Sequence, residues 1–160
     1  MLGAAWFDQL RVLDLRGFGE QAITALAKHP VAKKLRGLCL DRSRLGKQGL
    51  RTLARPGAFP ELVSLDLRDG FLARKTENKA EMMNFISTLA LPKLKWLNLS
   101  HWPLQDEGCR ALANNPGLPK LAHLNVDSCI LYEAGKKALE DSPHFRATVK
   151  CKPLQPAVPK

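Results

Sequence analysis

The 160 residues carry 25 lysine and arginine side chains against 15 acidic ones, a formal charge of +10, and 45% of them are apolar. That composition suits one domain with a continuous core, and no run approaches the ~20 consecutive apolar residues of a membrane-spanning helix. The first residues, Met1 to Asp8, lack the charged start and long apolar stretch of a secretory signal, so the expected compartment is the cytoplasm.

Residues 1–9 read as a partial repeat or cap, with Trp6 and Phe7 covering the end of a core. Continuation of a longer parent protein is the other reading of this segment. From residue 10 a leucine pattern recurs five times: Leu10-x-x-Leu13-x-Leu15, Leu35-x-x-Leu38-x-Leu40, Leu62-x-x-Leu65-x-Leu67, Leu94-x-x-Leu97-x-Leu99 and Leu121-x-x-Leu124-x-Val126. The first leucines are 25, 27, 32 and 27 residues apart. Five copies in register predict a repeat architecture.

With the first leucine as position 1, an apolar residue returns at position 11 (Leu45, Leu72, Leu104, Leu131) and glycine at position 15 (Gly49, Gly108, Gly135). Short helical runs follow at 22–27, 49–54, 108–113 and 135–140, and Pro30, Pro56, Pro92, Pro116 and Pro143 stop the chain after each helix. The third copy is five residues longer than its neighbours. Its apolar residues Ala80, Met83, Ile86 and Ala90, with Met82, Phe85 and Leu89, predict a longer helix, after a mobile charged bulge from Arg74 through Lys75 to Lys79. The repeat domain therefore spans 10–147, and 148–160 reads as a strand remnant with a Pro-rich tail.

Strand side chains alternate, so positions 4 and 6 share one face and positions 3, 5 and 7 the other. One such unit buries too little to offset its ordering entropy, whereas neighbours laid side by side form a parallel sheet over a continuous leucine core. The wider helical side bends the stack into an arc.

The repeated triplets, with Asp106-Glu107-Gly108 before Cys109-Arg110-Ala111-Leu112-Ala113 as the best copy, resemble the leucine-rich repeat family in its ribonuclease-inhibitor-like class. Helix ends such as Ser142-Pro143-His144 are similar to those of bacterial multi-repeat proteins. The resemblance implies an α/β leucine-rich repeat solenoid of about five repeats, with a curved parallel sheet on the concave side and helices on the convex side. It implies a non-catalytic scaffold that binds a protein partner, acts as a monomer, and needs no cofactor. Position 9 departs from the family's Asn or Cys, being Phe18, Ser43, Gly70, Trp102 and Cys129, so that only the fifth copy fits.

The outward positions hold the candidate partner-binding residues: Arg16, Asp41, Asp66, Arg68, Trp96, Asn98, His123 and Asn125. Arg16, Asp41 and Arg68 alternate in sign and predict a cross-strand ion ladder. Trp96 beside His123, flanked by Asn98 and Asn125, predicts a solvent-exposed aromatic anchor with adaptable hydrogen-bonding neighbours. Trp102 is expected to point into the core. Lys34, Lys93 and Lys120 each precede a strand and form a basic rim. This rim supports the alternative readings, a nucleic-acid- or polyanion-binding solenoid or a structural repeat fragment of a larger protein.

Chemistry finds little footing. Cys39, Cys109, Cys129 and Cys151 show no CxxC spacing, and Cys39 alone is expected on the outward face. His29 and His144 stand at helix ends. His101 and His123 sit roughly 16 Å apart along the strand direction, too far to share a metal ion. No phosphate loop, nucleophile elbow or paired acid is present, so neither catalytic nor metal-binding residues are assigned.

Overall fold

In a computed structural model, residues 9–71 and 77–151 are described. The expectations for Trp6, Phe7, Leu72, Arg74, Lys75 and the 153–160 tail lie outside the described residues. Each leucine triplet supplies a three-residue strand: β1 (Val12–Asp14), β2 (Gly37–Cys39), β3 (Ser64–Asp66), β4 (Trp96–Asn98) and β5 (His123–Asn125). A sixth, β6 (Thr148–Lys150), uses Val149 and Cys151 where the other copies use leucines. The strands form one sheet in the order β1-β2-β3-β4-β5-β6, every pair parallel. The register lines up Leu13, Leu38, Leu65, Leu97, Leu124 and Val149.

Between strands run α1 (Glu20–Lys28), α2 (Lys47–Ala54), α3 (Glu77–Thr88), α4 (Gln105–Ala113) and α5 (Glu133–Glu140), each packed on the next. A short 3-10 turn, Pro30–Lys33, follows α1, and His29 caps it by accepting the Val31 N–H on Nδ1. Right-handed parallel crossovers that always advance in one direction place all their helices on one face of the sheet. The leucines of positions 1, 4 and 6 fill the space between the layers; from β2 to β5 all are buried. Each contributes roughly 1.5–3 kcal/mol relative to exposure. Leu10, Leu13 and Leu15 are only partly buried, because β1 has a neighbour on one side alone among the described residues.

The inserted copy does carry the longest helix, 12 residues against eight or nine elsewhere. Its inward face differs from the expected one: Met82, Phe85, Ile86 and Leu89 are buried, Met83 is half-buried and Ala80 is exposed. Lys79 lies within α3 rather than in a bulge, and its ammonium pairs with Glu107 of α4.

Each strand leaves the sheet through the same turn. Position 8 adopts a left-handed backbone in every copy: Gly17, Arg42, Asp69, His101 and Ser128. Position 9 then sends a donor back to the position-6 carbonyl of the preceding copy. Ser43 Oγ reaches Leu15 O at 3.0 Å, Trp102 Nε1 reaches Leu67 O at 2.6 Å, and Cys129 Sγ reaches Leu99 O at 3.0 Å. A side-chain O–H, N–H or S–H can each make this bond, so the second and fourth copies form it as the fifth does. Trp102 is buried as expected, its ring 5.2 Å from Phe71 and 5.7 Å from Phe85. Gly70 gives the third copy no donor, and a Cβ there would stand 2.8 Å from Leu67 O.

Glycine at position 15 also has a physical reason. The Glu20 carboxylate accepts the Gly49 N–H at 3.1 Å, and a Cβ at Gly49 would meet Glu20 Cβ at 2.9 Å. Asp106 plays the matching part for α5, accepting the Tyr132 N–H at 2.8 Å while a Cβ on Gly135 would lie 2.4 Å from its Oδ1. An acid on one helix thereby satisfies free N–H groups at the start of the next.

Candidate functional site

The sheet face turned away from the helices presents three rows, and they differ from one end to the other. The position-3 row reads Val12, Gly37, Ser64, Trp96, His123 and Thr148. Trp96 and His123 are direct partners, as expected. His123 is exposed, whereas Trp96, expected to be solvent-exposed, is half-buried. Neighbouring strands only ~4.8 Å apart cover part of any large side chain in the middle of a sheet.

The position-5 row reads Asp14, Cys39, Asp66, Asn98, Asn125 and Lys150. Four of these carry out one local task. Oδ1 of Asp14, Asp66, Asn98 and Asn125 each accepts the backbone N–H two residues on, at 2.9–3.1 Å. Their carbonyl or carboxylate oxygens are thus committed to turning the chain. Asn98 is buried besides, so its expected role as an adaptable surface hydrogen bonder does not hold. Asn125 is half-buried with the same commitment.

The position-7 row carries the charge. Arg68 grips Asp41 with both arms of its guanidinium, Nε to Oδ1 at 3.2 Å and Nη2 to Oδ2 at 2.7 Å. Asp41 is buried, and the Arg68 guanidinium holds its carboxyl below the ordinary aspartate range. The predicted three-member ladder is not formed. Arg16 turns instead to Asp14 of its own strand, at 2.8 Å, lowering that carboxyl too. Arg68, with Asp66 in the matching upstream position, reaches across the sheet to Asp41 instead. In the fourth and fifth copies the same row holds Ser100 and Asp127.

The rim at the strand N-terminal ends is also built differently from the lysine row expected. Lys34, Lys93 and Lys120 are all exposed, but Glu61 stands between the first two in strand order. Lys93 Nζ holds both Glu61 oxygens, at 2.6 and 2.7 Å. A groove of about 320 Å³ opens there, lined by Arg36, Glu61, Val63, Lys93, Lys95 and Lys120. Arg36 and Lys95 were not singled out in the sequence. Both are position-2 residues, and the parallel register brings them to the same rim: Arg36 O accepts from the Val63 and Ser64 N–H groups, and Val63 O from those of Lys95 and Trp96.

The thiols have little nucleophilic character. Cys39 is half-buried between Asp14 and Asp66, and burial, with those carboxylates adding to it, pushes its thiol up. Burial raises Cys109 and Cys129 to about 12 and raises Cys151 as well. Among the described residues no three His, Cys, Asp or Glu side chains gather where they would hold a metal ion. Nor is any described helix long and apolar enough to cross a membrane. No protein-family model matches this chain, and no curated protein matches it either.

Proposed function

We propose that this chain is a non-catalytic scaffold of the leucine-rich repeat type, a ribonuclease-inhibitor-like solenoid that binds a protein partner through the concave face of its sheet. In this reading it acts as a monomer in the cytoplasm, without cofactor or metal. The repeating strand-turn-helix unit, with one left-handed residue in each of the five turns and a back-reaching donor in three of them, supports the family assignment.

A single observation carries the binding reading. On the outer face of β4 and β5, Trp96 and His123 lie side by side in a stretch that holds no ion pair among the described residues, while on the face of β1–β3 Arg16 and Arg68 are each paired with an aspartate. A half-exposed tryptophan beside an exposed histidine offers apolar area and one polar edge, the mixture that anchors protein interfaces. Partial burial of Trp96 makes His123 the cleaner probe, since truncating an exposed residue disturbs the fold little.

The test is affinity capture from native lysate, followed by titration of the purified partner into labelled chain with amide hydrogen exchange as the readout. Protection gained around 96–98 and 123–125 supports the proposal. Protection confined to the helix layer defeats it.

A further inference from the structure

The chain has a second binding surface: we propose that the rim groove between the starts of β2 and β6 takes an acidic, carboxylate-bearing polypeptide segment. This stands apart from the sheet-face reading and draws on different residues.

Several cations elsewhere are held by acids. Arg16 is held by Asp14, Arg68 by Asp41, Lys47 and Arg51 by Glu81, Lys79 by Glu107 and Lys137 by Asp141. At the rim, cations outnumber acids within one groove. Four cations, Arg36, Lys93, Lys95 and Lys120, line one groove with a single acid, Glu61. Lys93 takes both oxygens of that acid, and Arg36, Lys95 and Lys120 have no acidic partner among the described residues. Lys120 also lines the adjoining groove of about 300 Å³, which adds His144 and Arg146 before β6. Unneutralised cations therefore stand before or on β2, β4, β5 and β6, interrupted at β3 by Glu61 and Val63, over roughly 19 Å at ~4.8 Å per strand. A concave strip of one sign concentrates field and attracts a chain of the opposite sign.

Two features favour a carboxylate chain over a nucleic acid. The groove already seats a carboxylate, since Glu61 on Lys93 occupies it in the form a partner's glutamate would take. And the first groove has no aromatic lining residue for base stacking, while the second has only the imidazole of His144 beside the buried Phe145. Val63 adds an apolar strip suited to the methylene stems of glutamates.

The experiment is a fluorescence-anisotropy titration of the full chain with a labelled oligoglutamate of about ten residues, which at ~3.3 Å per residue spans the strip. The double variant Lys95→Glu/Lys120→Glu should weaken binding by about tenfold or more. Lys28→Glu/Arg110→Glu, which changes net charge equally at exposed helical sites, should leave it within about twofold. Trp96→Ala should not alter it, which separates this surface from the sheet face. Equal losses in the two double variants would reduce the effect to net charge and overturn the proposal. So would tighter binding of an oligothymidylate of the same charge. Thermal unfolding of each variant confirms that the fold is retained, and Lys95→Gln/Lys120→Gln serves in its place if the reversal unfolds the chain.

Discussion

The outer faces of β1–β3 and β4–β6 are built from the same backbone in the same register, yet they spend their side chains differently. On the first half, Arg16 and Arg68 are each drawn onto an aspartate of the same surface, so both cations are paired there. On the second, asparagines replace aspartates at position 5, serine replaces arginine at position 7 of the fourth copy, and Trp96 and His123 stand in the row above. Asparagine closes the turn with the same Oδ1 acceptor but calls for no counter-ion. One half of the sheet pairs both its arginines internally, and the other presents an aromatic pair on a face with no ion pair among the described residues.

The two halves share one core, so the largest effect should come from the seam. Leu97 is fully buried between Leu65 and Leu124. Leu97→Asp places an unpaired charge there and should cost about 4 kcal/mol or more, enough to abolish a cooperative thermal transition. Near-wild-type unfolding of that variant would mean that the halves are not joined through this leucine.

Next in size is the ion pair of the first half. Arg68→Met strands the buried Asp41 carboxylate, and because water reaches Arg68 the loss should be about 1–2 kcal/mol in urea unfolding. The sign of the pH dependence follows from the lowered carboxyl. Stability from the pair is complete above the ordinary aspartate range and fades as pH falls through the depressed native value, below about pH 4. In Arg68→Met that acid sensitivity should shrink, whereas His123→Ala should leave it intact.

A comparable but smaller effect is expected from the turn donors. Trp102→Phe keeps most of the ring contact but removes the Nε1 donor to Leu67 O. It should cost roughly 1 kcal/mol by denaturant titration. Smallest, and opposite in sign, is Ile130→Asn. Ile130 is exposed and β-branched at φ 54°, a conformation asparagine adopts more readily. A gain of about 0.5–1 kcal/mol in thermal unfolding is expected.

The strands were legible because period-2 alternation of leucine admits one inward face, and Leu38, Leu40, Leu65, Leu67, Leu97 and Leu99 all obey it. The longer α3 was legible from apolar spacing, but its inward face was not. Ala80 and Ala90 carry too little apolar area to compete with Met82, Phe85 and Leu89 for the core. Position 9 misled because residue identity stood in for function: Ser43 and Trp102 donate the hydrogen bond that an asparagine would. At the candidate site, position in the row was readable and commitment was not. Asn98 and Asn125 looked like free surface donors until their oxygens were seen turning the backbone, and Arg16 looked like a partner of Asp41 until Asp14 claimed it. Arg36 and Lys95 were missed because they lie far apart in the chain. Only the parallel register brings them to one groove.

The central claim is that the working surface lies on β4 and β5 rather than on β1–β3. The most direct measurement is calorimetric affinity for the captured partner, comparing Trp96→Ala/His123→Ala with Asp14→Ala/Arg16→Ala. The first pair should weaken binding by about 2 kcal/mol or more, and the second by less than about 0.5 kcal/mol, with both variants folded. If removing Asp14 and Arg16 abolishes binding while removing Trp96 and His123 leaves it unchanged, the two halves have been assigned the wrong way round.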